Sequence, residues 1–401
     1  MPRLKIHQNK ISDPQAVIKI CPFGALELKE NGEVDINAAC KLCKICVKKG
    51  PEGAFEFIED EKPSINKDEW QDITVYVEHS KGSIHPVTYE LLGKANELAE
   101  KTDQNVNALY IGSNIEENAS QIHHYGAQKV YIYDYEELQH FRIEPYAACF
   151  EDYIKKYKPS TILVGGTTIG RSLAPRVAAR FHTGLTADCT VLDIQDNTDL
   201  DQIRPAFGGN IMAHIHTPHN RPQMATVRYK IFDALEGCEL SDENEIVQCN
   251  IDPSKLTSQI EVKKVKPKKK GKTLEDADTI VVAGRGVKKE EDLSLIRNLA
   301  SVLDAQMAGT RPLIEAGWIS PLKQIGLSGR TVKPKLIITC GVSGSIQFRA
   351  GMQNSDTIIA INTDESANIF DVAHIGIVGD LYKVIPSFIE QVKSYKPALC
   401  E

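Results

Sequence analysis

Beyond about residue 71 the chain alternates short apolar runs with longer amphipathic stretches. ITVYVE (73–78), VNALYIG, AQKVYIYD and TILVGG (161–166) read as buried strands. Between them, PVTYELLGKANELAEKT (86–102) and a stretch reaching about Lys158 carry helical spacing, the first opened by Pro86 near its first turn. Strands alternating with helices indicate a doubly wound parallel sheet. GGTTIGRSLAPRVAARF sets glycines where a buried strand gives way to a helix. A tight βα turn is favoured there over a phosphate cradle, because G-x-G-x-x-G is absent. TGLTADCTVLDI, RPAFGGNIMAHIHT and QMATVR add further strands. His214 and His216 alternate on one face of such a strand and are assigned a structural role.

The same texture returns after Asp278. Strands are expected at 279–283, 335–340 (KLIITC), 357–362 (TIIAIN) and in HIGIVGD. A turn and helix are expected over 341–352, and a last helix in LYKVIPSFIEQVKSY. This is a second α/β sheet. Ligands of such sheets sit beyond the carboxyl ends of the strands. Arg285, Ser343, Gly344, Gln347, Asn362 and Asp380 fall there. Small residues admit a ligand close to the backbone, and helix-start amides with Arg285 suit a pyrophosphate.

Between the two sheets KKVKPKKKGK (263–272) has seven lysines in ten residues. With a whole-chain formal charge of −7, it reads as a solvated linker over 263–277 rather than a nucleic-acid tract. The expected domains are 1–70, 71–262 and 278–401. No apolar run is long enough to span a membrane, and MPRLKIHQNK lacks the apolar core of a signal peptide. Ten cysteines, four of them near the N-terminus, fit a reducing cytoplasm and metal ligation better than disulfides.

Those four cysteines supply the strongest chemical signal. Cys40, Cys43 and Cys46 form C-x2-C-x2-C, the start of the bacterial ferredoxin run. The position of the next ligand is Gly50, followed by Pro51. CPFGALEL from Cys21 and GPEGAFEF from Gly50 are 29 residues apart, as are VDIN (34–37) and PSIN (63–66). The segment is a decayed tandem repeat. In a two-cluster ferredoxin the Cys-Pro cysteine of one half ligates the cluster of the other, so Cys21 completes the first site. The second site would use Ile11, Pro14, Val17 and Gly50, none of which can ligate. One [4Fe-4S] cluster held by Cys21, Cys40, Cys43 and Cys46 is therefore expected, with a four-cysteine zinc site as the alternative. Lys41, Lys44, Lys48 and Lys49 surround it, as a solvated face, a tuning charge or a guide for a partner.

LIITCGVSGSIQFRAGMQNSDTIIAIN (336–362), IFDVAHIGIVGDLYKVIP (369–386) and VVAGRGVK (281–288) resemble the α-subunit of the electron transfer flavoproteins. GLTADCTVLDI and RPAFGGNIMA support the resemblance, which covers roughly 71–401. It implies a Rossmann-like α/β domain followed by a flavodoxin- or Rossmann-like FAD-binding domain, and a heterodimer with a β-subunit. It implies an electron-carrier subunit, not catalytic alone. By the resemblance, Arg285 meets the FAD pyrophosphate, and Thr310 and Arg311 lie near the isoalloxazine, where Arg311 favours its anionic reduced forms. Ile325, Gly326, Leu327 and Ser328 pass the flavin edge, with the Ser328 hydroxyl offered to the redox-active nitrogen. Ser343, Gly344, Ser345, Ile346 and Gln347 border the ring and ribityl chain. Asn362, Asp380 and Leu381 hold the adenosine portion. Phe348 stands where the family usually has His, which weakens stabilisation of reduced flavin. Leu327 stands where a polar residue is common.

The ferredoxin-like extension resembles the version in anaerobic bacteria, where such a subunit joins an acyl-CoA dehydrogenase-like reductase or a lactate dehydrogenase. That implies flavin-based electron bifurcation with ferredoxin as one acceptor. The rival reading is a stand-alone dinucleotide-binding oxidoreductase with a structural N-terminal metal site.

Overall fold

The computed structural model describes residues 3–29, 31–37, 39–58, 65–80, 82–206, 211–235, 237–266 and 273–395. Parts of the PSIN echo, of RPAFGGNIMAHIHT and of the lysine-rich linker (267–272) lie outside them. The chain divides into two compact units, Met1–Ile65 and Asn66–Glu401.

The first unit contains β1 (Arg3–Ile6), α1 (Pro14–Ile18), β2 (Leu26–Leu28), β3 (Val34–Ile36), α2 (Ile45–Lys49) and β4 (Phe55–Ile58). Here β1 pairs antiparallel with β4, and β2 with β3. The 29-residue offset carries the start of β2 onto the start of β4. Helix α2 ends directly at the Gly50-Pro51 corner, and α1 ends two residues short of the Cys21-Pro22 corner. Asp13 starts α1 by accepting the Ala16 N–H at 3.1 Å, with Pro14 at the first helical position. Two positions 29 residues before the spaced cysteines, Ile11 and Val17, contribute to the apolar core. Val17, Leu26, Val34, Ala54 and Phe55 are buried together, with Ile11 packed against them. A Cβ at Gly50 would lie 2.5 Å from the Cys46 carbonyl oxygen and 2.8 Å from the Phe55 ring. The space beside Gly50 is filled by the Phe55 ring.

The second unit opens with β5 (Gln71–Val77), the short β6 (His79–Ser80) and β7 (Ser83–Ile84), and α3 (Val87–Ala99). It continues through β8 (Val106–Gly112), α4 (Ser120–His123), β9 (Lys129–Asp134), α5 (Ile143–Tyr157), β10 (Pro159–Gly165) and α6 (Gly170–Arg180). Then come β11 (Leu185–Cys189), β12 (Val191–Ile194), β13 (Leu200–Ala206), β14 (Ile211–Ile215), β15 (Gln223–Val227) and β16 (Glu245–Gln248). Seven strands form one parallel sheet in the order β11-β15-β10-β5-β8-β9-β16. The strands β5, β8 and β10 are buried along nearly their whole length, as a sheet covered on both faces requires. One apolar layer holds α3, and the other holds α5 and α6.

The strands β12, β13 and β14 form a separate antiparallel sheet. His214 and His216 sit on it beside Asp201, at 2.8 and 3.4 Å. A carboxylate that no local pattern signalled is thus present, and the pair serves as its partners.

The remaining elements are β17 (Thr279–Ala283), α7 (Leu293–Val302), β18 (Gln306–Gly309), α8 (Arg311–Glu315), β19 (Leu336–Cys340), α9 (Ile346–Arg349), β20 (Thr357–Asn362), β21 (Ile375–Val378) and α10 (Leu381–Tyr395). They form a five-stranded parallel sheet, β18-β17-β19-β20-β21. Strand β18 carries no extended apolar run and escaped the sequence pattern. The helix expected over 341–352 is only α9, because Ser343 to Ser345 run as a loop before it.

One buried ionic centre joins the segments that lead into β5, β13 and β15. Arg221, with a fully buried side chain, donates to Asp199 at 2.7 Å, and Lys67 donates to the other carboxylate oxygen at 2.7 Å. Burial pushes the Asp199 carboxyl upward, but the two cations outweigh it and hold it below the usual range.

Glu90 on α3 is 8% exposed and accepts the Lys230 N–H at 2.8 Å. Burial pushes its carboxyl up to about 8. A raised value favours the neutral acid in the folded state. Its contribution is complete below the ordinary value of 4.5 and is lost as pH rises through about 8. Glu90→Gln is expected to remove about 1.4 kcal/mol per pH unit of that loss between the two values, read from urea unfolding at pH 5 to 8. A pH dependence unchanged by the substitution would refute the assignment.

Candidate functional site

At the second sheet, β17 runs to β18 on one side and β19 to β20 and β21 on the other. The crevice beyond the carboxyl ends of β17 and β19 is therefore the topological switch point. The two strand ends are drawn together there. Gly284 N–H donates to the Cys340 carbonyl and Gly286 N–H to the Gly341 carbonyl, both at 2.9 Å. A Cβ on Gly286 would lie 2.7 Å from the Gly341 Cα. These glycines serve contact between backbones. The helix-start amides expected beside Arg285 are not there, because α7 begins only at Leu293.

A cavity of about 1030 Å³ opens at this point. Arg285, Thr310 and Arg311 form one side, Ile325, Gly326, Leu327 and Ser328 a second, and Ser343, Ser345, Gln347 and Phe348 a third. All were expected from the sequence. Pro312, Glu315, Gln324 and Val342 also line it and were missed. The Pro312 and Glu315 positions follow from α8, which was not foreseen. Gly344, Ile346, Asn362, Asp380 and Leu381 lie outside this wall. Asn362 donates to the Val342 carbonyl at 2.8 Å, and Asp380 accepts the Tyr382 N–H at the start of α10. Leu381 is in the apolar core, and Gly344 has φ +80°.

The cavity has a buried apolar floor of Ile325, Val342 and Phe348 and an exposed polar rim. Such a combination suits a flat ring with a charged tail. Phe348 is packed in the domain core, so its ring is part of the floor. The charge of Arg311 is matched by Glu315, whose carboxylate accepts from Nε at 2.7 Å. Arg285 is exposed. The Ser328 hydroxyl accepts from Gln324 at 2.6 Å, which leaves its own proton to be donated. The Leu327 N–H donates to the Gln347 carbonyl at 2.9 Å, joining two of the walls.

In the first unit, Cys21, Cys40, Cys43 and Cys46 line one concavity of about 370 Å³, floored by Leu4, Ala25 and Leu26. Leu42 and Lys44, at φ +51° and +61°, curl the loop between the cysteines. The Ala25 N–H donates to the Cys21 sulfur at 3.4 Å. Lys44 also lies over the Phe57 ring, 4.0 Å from its centre. Among the described residues, no group of three or more His, Cys, Asp or Glu side chains is placed to hold a metal ion, and all nine cysteines are free.

Residues 73–267 match the electron transfer flavoprotein domain, and residues 273–353 match the electron transfer flavoprotein FAD-binding domain. The chain belongs to the electron transfer flavoprotein alpha-subunit family. It is 56% identical to lactate dehydrogenase (NAD(+),ferredoxin) subunit LctC of Acetobacterium woodii, over 94% of this chain and 90% of that one. It is 44% identical to the electron transfer flavoprotein subunit alpha of Thermoanaerobacterium thermosaccharolyticum, over 82% and 99%. It is 37% identical to the acryloyl-CoA reductase electron transfer subunit beta of Anaerotignum propionicum, over 82% and 97%. The family match begins at residue 73, so the cysteine-bearing unit lies outside it. The chain is an electron-transfer subunit, and its second sheet is the family's FAD-binding domain. Among the described residues no helix is long and apolar enough to cross a membrane.

At Gly344 a Cβ would run into the backbone nitrogen of Ile369, in a conformation that already disfavours side chains. Gly344→Ala is expected to cost at least about 1–3 kcal/mol, measured by thermal or urea unfolding. A neutral outcome would show that the 343–345 loop tolerates displacement.

Proposed function

We propose that this chain is the alpha subunit of a bifurcating electron transfer flavoprotein in a reducing cytoplasm. It relays electrons between an NADH-linked flavin of a beta subunit, ferredoxin and a partner dehydrogenase. The observation that carries the flavin part is the cavity at the β17/β19 switch point, where three separate segments expected to touch FAD meet around one apolar floor. Bound there, FAD would supply reversible electron uptake at its isoalloxazine. The chain's own part is to seat the ring against Ile325, Val342 and Phe348. Arg285 would face the pyrophosphate, and the Ser328 proton would be offered to the ring edge. Asn362, Asp380 and Leu381, outside the cavity wall, would reach only the adenosine end.

The cysteine cavity fits a cubane cluster better than zinc. A single ion needs four ligands converging on one point, whereas a cubane bonds each thiolate to a different iron and holds them further apart. The C-x2-C-x2-C run with a distant Cys-Pro follows the cluster pattern instead of paired zinc knuckles, and the four cysteines line one concavity. The lysines around it favour an acidic partner. The relative in A. woodii has ferredoxin and lactate dehydrogenase in its name, and the one in A. propionicum acryloyl-CoA reductase. Both support a reductase or lactate dehydrogenase as partner here.

The test is anaerobic isolation with the beta subunit, followed by iron, sulfide and flavin analysis. Flavin and cluster-level iron are expected, and a colourless zinc protein would refute the reading. Cys43→Ser is expected to lower iron content and the rate of ferredoxin reduction while alpha-subunit FAD is retained. Full-rate ferredoxin reduction by that variant would remove the cluster from the route. Glu315→Gln frees the Arg311 charge and is expected to raise the alpha-subunit flavin potential by roughly 10–40 mV, the size of an exposed ion pair of about 0.2–1 kcal/mol. Spectroelectrochemical titration decides this, and a lowered potential would refute it.

A further inference from the structure

The concavity of the four cysteines is closed on one side and open on the other. Leu4, Ala25 and Leu26 floor it. Cys21, Cys40 and Cys46 are half-buried, and Cys43 alone of the four is exposed. Two apolar side chains share the open side with it. Phe23, from the Cys21-Pro22 corner, and Leu42, from the cysteine loop, line the concavity and are 46% and 36% exposed. A single apolar side chain in water is ordinary. These two are not scattered: they meet, from segments about twenty positions apart, at the one cysteine that solvent reaches.

Charge is segregated to the same place. Residues 37–50 carry four lysines and no acidic residue, although residues 1–65 hold ten basic and ten acidic side chains. The rest of the unit is therefore net negative, as is the whole chain at −7. Lys41, Lys44, Lys48 and Lys49 are all exposed. Elsewhere in the unit charges pair off, Lys29 with Asp35 and His7 with Glu56, each at 2.9 Å. Lys44 is engaged over the Phe57 ring. Lys41, Lys48 and Lys49 have no ion-pair partner among the described residues. Four like charges on one short stretch repel one another, and a negative surface laid against them relieves that repulsion.

An apolar centre with a charged rim is the anatomy of a protein–protein interface. Two apolar side chains make a small centre, which suits the brief, charge-steered encounters of electron carriers rather than a permanent subunit contact. We propose that Phe23 and Leu42, flanked by Lys41, Lys48 and Lys49, form the docking face for a small acidic iron–sulfur carrier, with Cys43 as the ligand nearest to it. This inference rests on the cluster reading above and names the point where the carrier meets it. One electron crosses at each encounter. This side is oxidised by one electron, the carrier is reduced by one, and no bond or proton moves.

The experiment measures binding of an acidic bacterial two-cluster ferredoxin to the flavin- and iron-loaded heterodimer under anaerobic conditions. Salt is varied from about 0.01 to 0.15 M, which shortens the Debye length from about 30 to about 8 Å. Affinity is expected to fall as salt rises. Replacing Lys41, Lys48 and Lys49 together by Gln should weaken binding by about ten-fold at low salt and flatten the salt dependence. Phe23→Ser should weaken binding by about ten-fold and leave the salt dependence as it was, with Phe23→Leu restoring most of the affinity. Iron content and the electron paramagnetic resonance signal of the reduced protein are read in parallel. Should Phe23→Ser lose iron, the lysine variant decides alone. Absence of iron and signal from the wild-type heterodimer overturns the cluster reading and this proposal with it. A full cluster with ferredoxin affinity unchanged in the lysine variant overturns the docking face alone. So does loss of the beta subunit from that variant without loss of ferredoxin binding, since the lysines would then serve the heterodimer.

Discussion

The close approach of two glycine turns organises the FAD-binding domain. Beyond β17 and β19, Gly284 and Gly286 lie against Gly341, with a backbone hydrogen bond from each. Any side chain at these positions would force the strand ends apart. Because they stay together, Arg285 and Ser343, 58 positions apart in the chain, open onto the same cavity. The remaining wall, Ile325 to Ser328, is pinned through the Leu327–Gln347 hydrogen bond to the residues before and within α9. The pocket is thus a consequence of backbone packing, and side chains only decorate it.

Charge at the pocket is more balanced than a count of arginines implies. Arg311 is held by Glu315 one helical turn later, an arrangement that α8 alone makes possible. Arg285 remains exposed, so the positive field falls at one end of the cavity. At the cleft beyond the carboxyl ends of β5 and β10, Asp188 takes two arginines and Glu275 a third. Arg228 Nε, Glu275 Oε2 and Thr331 Oγ1 are buried there without a hydrogen-bond partner.

In the first unit, repeat positions that carry no cysteine are packed with apolar side chains. Ile11 and Val17 stand 29 residues before Cys40 and Cys46 and pack in or against the core, and the Phe55 ring packs beside Gly50. A small domain has little core to spare, and burying these residues adds what burial of a few apolar side chains contributes, about 1.5–3 kcal/mol each. The remaining four cysteines keep their concavity because left-handed residues at 42 and 44 bend the loop around it.

The sequence by itself determined the strand–helix alternation, the two parallel sheets, the decayed repeat and most of the residues that line the cavity beyond β17 and β19. Those features reside in local periodicity, spacing and strand-end position, which a linear chain carries openly. It did not disclose β18 and α8, whose short segments lack a periodic signature, and so it missed Glu315 beside Arg311 and the Asp201 partner of His214. It also could not reveal that Gly284, Gly286 and Gly170 serve backbone contact, nor that Thr331, Arg228 and Glu275 share one cleft. Those facts depend on which distant segments meet, and only packing of the sheets against their helices and loops decides that.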